Sequence, residues 1–291
     1  MTDPNERLDP ATHMDTLSLR VFDLATMVEF YTDGVGLVLL GEGGGTLTLG
    51  LGDRPVLKLV HAPELRRPPS SAAGLYHSAV LFDSQADLSA SLLSIFTSHP
   101  HTYTGSADHL VSEAFYFTDP EGNGLELYAD RPRESWQWDG DQVRMATIYL
   151  DPSQFVNSHI DRDLVESGRR PELSGVLGHA HLQVGDIATA HEFYVGVLGF
   201  DQTARMGRQA LFVSAGGYHH HIGMNTWLSA GAGPRDKTLG LGSVDIAIPS
   251  RTELDRLVER LGADNREVRD DGDRVLTLDP WRNEVRLNLA V

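Results

Sequence analysis

The chain has 291 residues, 41% of them hydrophobic, which is room for about two domains that each bury a core. Its formal net charge of −17 argues against a nucleic-acid footprint, and the absence of Cys removes disulfides, thiolate nucleophiles and Cys-ligated metal, so any metal must be held by nitrogen and oxygen. No apolar run is long enough to span a bilayer and the opening MTDPNERLDP lacks a secretory pattern, so the sequence reads as cytoplasmic, with no membrane or nucleic-acid partner.

The first segment with structure, LRVFDLATMVEFYTDGVGL from Leu19, predicts a strand that runs into a helix. A second strand and helix follow in GLYHSAVLFDSQADLSASL from Gly74, and this unit ends in a D-P-x-x-N turn at Asp119 and a last strand. Residues 139–173 are more charged, with Pro near both ends and a weak helical pattern, and read as a connecting segment with one helix of its own. Then the pattern returns: LQVGDIATAHEFYVGVLGF from Leu182 aligns without a gap on the Leu19 segment, sharing L-x-V-x-D and E-F-Y. Within it Ile187, Ala190, Phe193, Tyr194 and Leu198 fall at helical spacing, and Gly199 stops the helix. GLGSVDIAIPSRTELDRLV from Gly240 matches the Gly74 segment and leads to the second D-P-x-x-N turn, at Asp279. Short alternating runs broken by Gly-rich turns complete each unit. The expected fold class is α+β: four βαβββ units in two tandem halves, 10–138 and 174–291, forming curved mixed sheets around a metal site.

Strand alternation decides which side chains share a face. Leu125 and Leu127 point one way and Glu126 the other; His77 opens the unit that Glu126 closes; His179 and His181 face away from Ala180, Leu182 and Val184. His77, His179 and Glu126 thus make a two-His, one-carboxylate set, which holds a divalent metal on one side and leaves other positions open. A lone strand His is more often an ordinary hydrogen-bonded residue than a ligand. The repeat argues otherwise here, because the equivalent positions in units one and four carry Thr16, Ser243 and Arg286, so the candidate ligands gather in units two and three. In GGYHHHIGMNTW, alternation around Ile222 and Met224 puts His219 and His221 on the face opposite to His220. His221 then matches Glu126 in position, as a fourth ligand or an acid–base group.

The four units, the E-F-Y and L-G-F helix ends and the D-P-x-G-N-x-x-E turn resemble the vicinal oxygen chelate superfamily, which includes glyoxalase I, bleomycin-resistance proteins and extradiol dioxygenases. HLVSEAFYFTDPEGNGLE is similar to the extradiol ring-cleavage signature through His109, Tyr116, Asp119, Pro120, Gly122 and Glu126, with Ala107 departing from the residue usual two places before the His. The resemblance implies that His77, His179 and Glu126 bind iron(II), with manganese(II) as the alternative. It gives Tyr116 a hydrogen bond to a substrate oxygen, His109 a donated hydrogen bond to substrate, and His221 the acid–base step. The implied reaction is meta-cleavage of a small aromatic diol by O2, in a protein open to homo-oligomer formation. In many extradiol enzymes the metal lies between the two units of the second half; here the candidate ligands fall in units two and three, which implies that these pair across the halves and leave units one and four without metal. Trp136, Trp138, Phe115 and Trp227 are candidate pocket walls. Two rivals stand beside this: a glyoxalase-like isomerase or lyase, with a second carboxylate as base, and a non-catalytic small-molecule-binding protein.

Overall fold

The computed structural model describes residues 7–167 and 171–290. Unit one contains β1 (His13–Val21), α1 (Leu24–Glu29), β2 (Val38–Gly43), β3 (Thr46–Leu51) and β4 (Arg54–His61). Unit two contains β5 (Gly74–Phe82), α2 (Gln85–Ser98), β6 (Tyr103–Asp108), β7 (Ser112–Thr118) and β8 (Gly124–Asp130). The connecting segment holds a small hairpin, β9 (Trp138–Asp139) and β10 (Gln142–Val143), and two helices rather than one, α3 (Pro152–His159) and α4 (Arg162–Ser167). Unit three contains β11 (Gly175–Gln183), α5 (Ile187–His191), β12 (Asp201–Met206), β13 (Ala210–Ser214) and β14 (Ile222–Asn225). Unit four contains β15 (Gly240–Ile248), α6 (Arg251–Ala263), β16 (Val268–Asp270), β17 (Arg274–Leu278) and β18 (Glu284–Leu289).

The helix of each unit starts where a short polar side chain satisfies a free backbone N–H. Asp23, Ser84, Asp186 and Ser250 accept from Thr26, Asp87, Thr189 and Glu253 respectively. In α2 the buried Leu88, Leu92 and Ile95 form one stripe, each stabilising the fold by about 1.5–3 kcal/mol through area removed from water. The helix of unit three is not a single α-helix: after His191 α5 widens into a π-turn over Glu192–Val197, as α1 of unit one does over Phe30–Val35. The wider turn buries both aromatic residues of each E-F-Y motif, and the phenol reaches a neighbouring unit. Tyr31 donates to Asp119 Oδ2 at 3.0 Å and Tyr194 donates to Asp279 Oδ2 at 3.1 Å. The two repeated motifs are therefore the two sides of one clamp.

The strands form two eight-stranded sheets, ordered β12-β13-β14-β11-β5-β8-β7-β6 and β16-β17-β18-β15-β1-β4-β3-β2. Each sheet takes one unit from each half of the chain. In every unit the first strand pairs parallel with the last, and the two central first strands pair antiparallel, β5 with β11 and β1 with β15. One face of each sheet joins the main apolar core, to which Leu125, Leu127, Ala180 and Leu182 belong. The β5–β11 pair carries an irregularity between Leu177 and His179, centred on Gly178. A Cβ at Gly178 would lie 1.8 Å from the Tyr128 hydroxyl, so only glycine lets the strand pass there. Among the described residues no helix is long and apolar enough to cross a membrane.

Candidate metal centre

The junction of β5, β8 and β11 brings His77, Glu126 and His179 together. One ligand atom from each lies within 4.8 Å of the others, and all three residues are buried. Glu126 Oε2 is 3.0 Å from His77 Nε2 and 3.2 Å from His179 Nε2. Spacings of about 3 Å match the edge of an octahedron whose bonds are about 2.1 Å. Burial pushes the Glu126 carboxyl up, but His179 and then His77 pull it further down, so its net displacement is well below the carboxylate range. Burial lowers His179 to about 4, so this imidazole is neutral at pH 7. His77 Nε2 is buried without an aligned hydrogen-bond partner. A buried, ionised carboxylate faced by a neutral ring and by a nitrogen without an aligned partner lacks a cation. The donor set therefore fits a divalent metal with nitrogen and oxygen preferences.

Beside the triad, Tyr116 pairs across β7 and β8 with Glu126. Burial, followed by the Glu126 charge, raises its phenol well above the usual range, so the hydroxyl keeps its proton. His109 does not offer a free donor to the cavity, contrary to the sequence expectation, because both its nitrogens are engaged. Nδ1 lies 2.6 Å from the Ala146 carbonyl and Nε2 lies 2.6 Å from the Tyr116 hydroxyl. A carbonyl only accepts, so Nδ1 carries the hydrogen; in the neutral ring Nε2 then accepts from Tyr116, whose oxygen keeps lone pairs for another donor.

His221 departs from its expected place. Its backbone N–H donates to the Val213 carbonyl, although Val213 pairs in register with Ile222, so two residues oppose one and the alternation breaks. The His221 ring turns back, accepts from the Ala215 N–H at 3.2 Å and stacks on Tyr218 with centroids 5.0 Å apart. Its neighbour His220 lines the cavity instead, with its ring centroid 4.2 Å from that of His179. Burial, then His179, lowers His220 well below the usual imidazole range. Nor does His221 hold the place of Glu126: β14 pairs His181 with Gly223 where β8 pairs Ala79 with Glu126. A Cβ at Gly223 would lie 3.1 Å from the His181 ring. His181 shares the parity of His179 and could have been singled out from it; its Nε2 accepts from Asn225 at 3.0 Å.

The triad forms part of the wall of a cavity of ≈ 1300 Å³, lined also by Tyr76, Tyr116, His181, Phe212, His220 and Trp227. Of the four aromatic residues expected in the wall only Trp227 lines it. Phe115 is on the other face of β7, against Phe155; Trp136 packs with Val111 and Val143; Trp138 is 40% exposed on the connecting hairpin.

The second sheet carries the same register positions with different chemistry. β4 places Lys58 where β8 places Glu126, and β15 places Asp245 where β11 places His181. Asp245 is fully buried, accepts from Thr16 at 3.1 Å and from Ser243 at 2.6 Å, and meets the Lys58 ammonium at 3.0 Å. An ammonium fills the sister position, and it leaves no donor set for a metal.

Comparison with known proteins agrees with this architecture. A family described as the Glyoxalase/Bleomycin resistance protein/Dioxygenase superfamily matches residues 13–127 and 176–281. Over 260 residues the chain is 38% identical to a catechol-2,3-dioxygenase of Bacillus subtilis (strain 168), covering 86% of this chain and 87% of that protein. A crystal structure of a presumed dioxygenase from Bacillus subtilis subsp. subtilis str. 168 superposes with a TM-score of 0.63 at 13% identity, over 97% of this chain and 86% of that one. Glyoxalase I from Zea mays superposes with a TM-score of 0.58 at 15% identity, over 96% and 92%. At such identities these structures speak to the fold alone.

Proposed function

Since the chain belongs to the Glyoxalase/Bleomycin resistance protein/Dioxygenase superfamily, we propose that it is an extradiol dioxygenase that opens catechol-type rings with O2 at a metal held by His77, Glu126 and His179. The observation that carries the reading is the buried, cation-seeking triad in the wall of an aromatic-lined cavity. Iron(II), with manganese(II) as the alternative, would supply a Lewis-acid centre with open positions and a redox path between ring and oxygen. The protein's own groups do the rest. Tyr76 and Trp227, with ring centroids 5.3 Å apart, offer faces and edges to a flat substrate. The Tyr116 oxygen, its own proton directed at His109, accepts from a diol hydroxyl. His220 takes the acid–base role expected of His221, because it is the ring that reaches the cavity.

A glyoxalase-like base has no residue to carry it at the sister register position, which is Gly223. A pure binding protein has no use for a buried carboxylate flanked by imidazoles. The deciding experiment loads the protein anaerobically with iron(II), adds a panel of catechols and then air, and follows oxygen uptake and the yellow ring-opened product. Turnover on at least one diol is expected; metal bound without turnover on any of them overturns the reading.

A further inference from the structure

His219 is fully buried, it does not line the cavity, and the chemistry above makes no use of it. Its ring is enclosed by Trp136 and Tyr218, at centroid distances of 5.2 and 4.1 Å. Yet both nitrogens are engaged. Nε2 lies 2.9 Å from Asp130 Oδ1, and Nδ1 lies 2.8 Å from Nδ1 of His220. Two imidazole nitrogens at that distance need one hydrogen between them, and the Asp130 end decides which ring owns it. A carboxylate only accepts, so His219 Nε2 carries a hydrogen. In the neutral ring His219 Nδ1 is then a lone pair, and the shared hydrogen sits on His220 Nδ1. His220 Nε2 is left bare, with no hydrogen-bond partner among the described residues, on a ring that lines the cavity beside His179.

We propose that Asp130 and His219 are positioning residues that fix His220 in its Nδ1–H tautomer and orientation, so that its Nε2 presents an acceptor lone pair to the bound diol. The diol rests on the dioxygenase reading; the tautomer does not. The arrangement has the logic of a hydrolytic triad, in which a carboxylate acts on the reacting ring by choosing its tautomer. Here an intervening imidazole passes the same choice on, so the reacting ring again keeps its hydrogen on Nδ1 and exposes Nε2. His221, stacked on Tyr218, anchors the same run from the other side. The Asp130 side chain is 20% exposed and forms the outer, water-facing end of the array.

The tautomer can be read on metal-free, 15N-histidine-labelled protein by long-range proton–nitrogen correlation, with the His220 signals assigned by their loss in His220→Gln. Wild-type His220 is expected to carry its hydrogen on Nδ1. Asp130→Asn, whose amide can donate as well as accept, should convert it to a mixture of tautomers. In the metal-loaded enzyme the same variant should lower kcat by about 10–100-fold with KM changed less than about twofold, and Asp130→Glu should retain more activity than Asn. A wild-type ring protonated on Nε2, or an Asp130→Asn protein with unchanged tautomer and kcat, overturns the proposal, and the wild-type spectrum decides even if the variant does not fold. A protein that opens no diol would defeat the dioxygenase reading alone, since the spectra need neither metal nor substrate.

Discussion

Glu126 sits between two leucines that belong to the core, and among the described residues the ion-pair partners of its charge are the imidazoles of His77 and His179, with no Lys or Arg. Glu126→Gln replaces that charge with an amide and gives the neighbouring imidazoles a competing donor. Metal retained after gel filtration, measured by elemental analysis, should fall from about one equivalent to near zero. Undiminished metal in this variant would count against the triad. Tyr116→Phe removes no ligand atom, so it should keep the metal and lower kcat by about 10-fold or more, as measured by oxygen uptake. Strand alternation made the Glu126, His77 and His179 set legible because β5 and β8 pair one to one from His77 to Leu81, and the irregularities of the β5–β11 pair, at Gly178 and at Tyr76, fall beside the ligand positions rather than on them. The same rule misplaced His221, because alternation holds only while residues pair one to one, and at Val213 two residues face one. His109 was legible as a site residue, but not that its hydrogen bonds end on Ala146 and Tyr116, since Ala146 comes from the connecting segment.

Between residue and molecule lies the clamp that joins the units of each half. Tyr31 and Asp119 are 88 positions apart, Tyr194 and Asp279 85, and both pairs are buried. Deleting either hydroxyl leaves a buried carboxyl short of one donor. Tyr31→Phe and Tyr194→Phe should each cost about 1–2 kcal/mol in urea unfolding. Burial pushes the Asp119 carboxyl up to about 6, against hydrogen bonds from Asn123, Tyr31 and Glu121 that lower it. In the unfolded chain an Asp titrates near 3.9, so between about pH 4 and 6 the folded state binds this proton more tightly. The Asp119 contribution to stability therefore declines as pH rises through that interval and levels off above it. In Asp119→Asn that decline should be missing from the difference between unfolding curves at pH 4, 5, 6 and 7; an unchanged slope would show that Asp119 is not raised. Both motifs could be read from the sequence as repeats, but their contact could not, because nothing local tells a π-turn from an ordinary helical one at Phe30 or Phe193.

At the scale of the whole molecule, the halves visible in sequence are not the halves that fold together: units two and three share one sheet, units one and four the other. A repeat shows how many units exist but not which pair, and here the pairing is betrayed by where the candidate ligands fall. In the sister sheet the buried acid is Asp245, at the register position of His181, and Lys58 supplies its positive charge directly. Lys58→Met should then strand a fully buried carboxylate. The expected cost is about 3–5 kcal/mol, reduced toward the lower end because the Lys58 side chain is 24% exposed and partly screened. Adding Asp245→Asn should recover part of that loss by removing the stranded charge, and a double variant no more stable than Lys58→Met would show that the charge is not what the pair controls. Metal content should be unchanged in both, since Lys58 and Asp245 lie in the sheet that contributes none of the three candidate ligands. If metal content fell with Lys58, the two sheets would have to be coupled through the β1–β11 contact, and the division of labour between a metal-bearing sheet and an ion-paired one would fail.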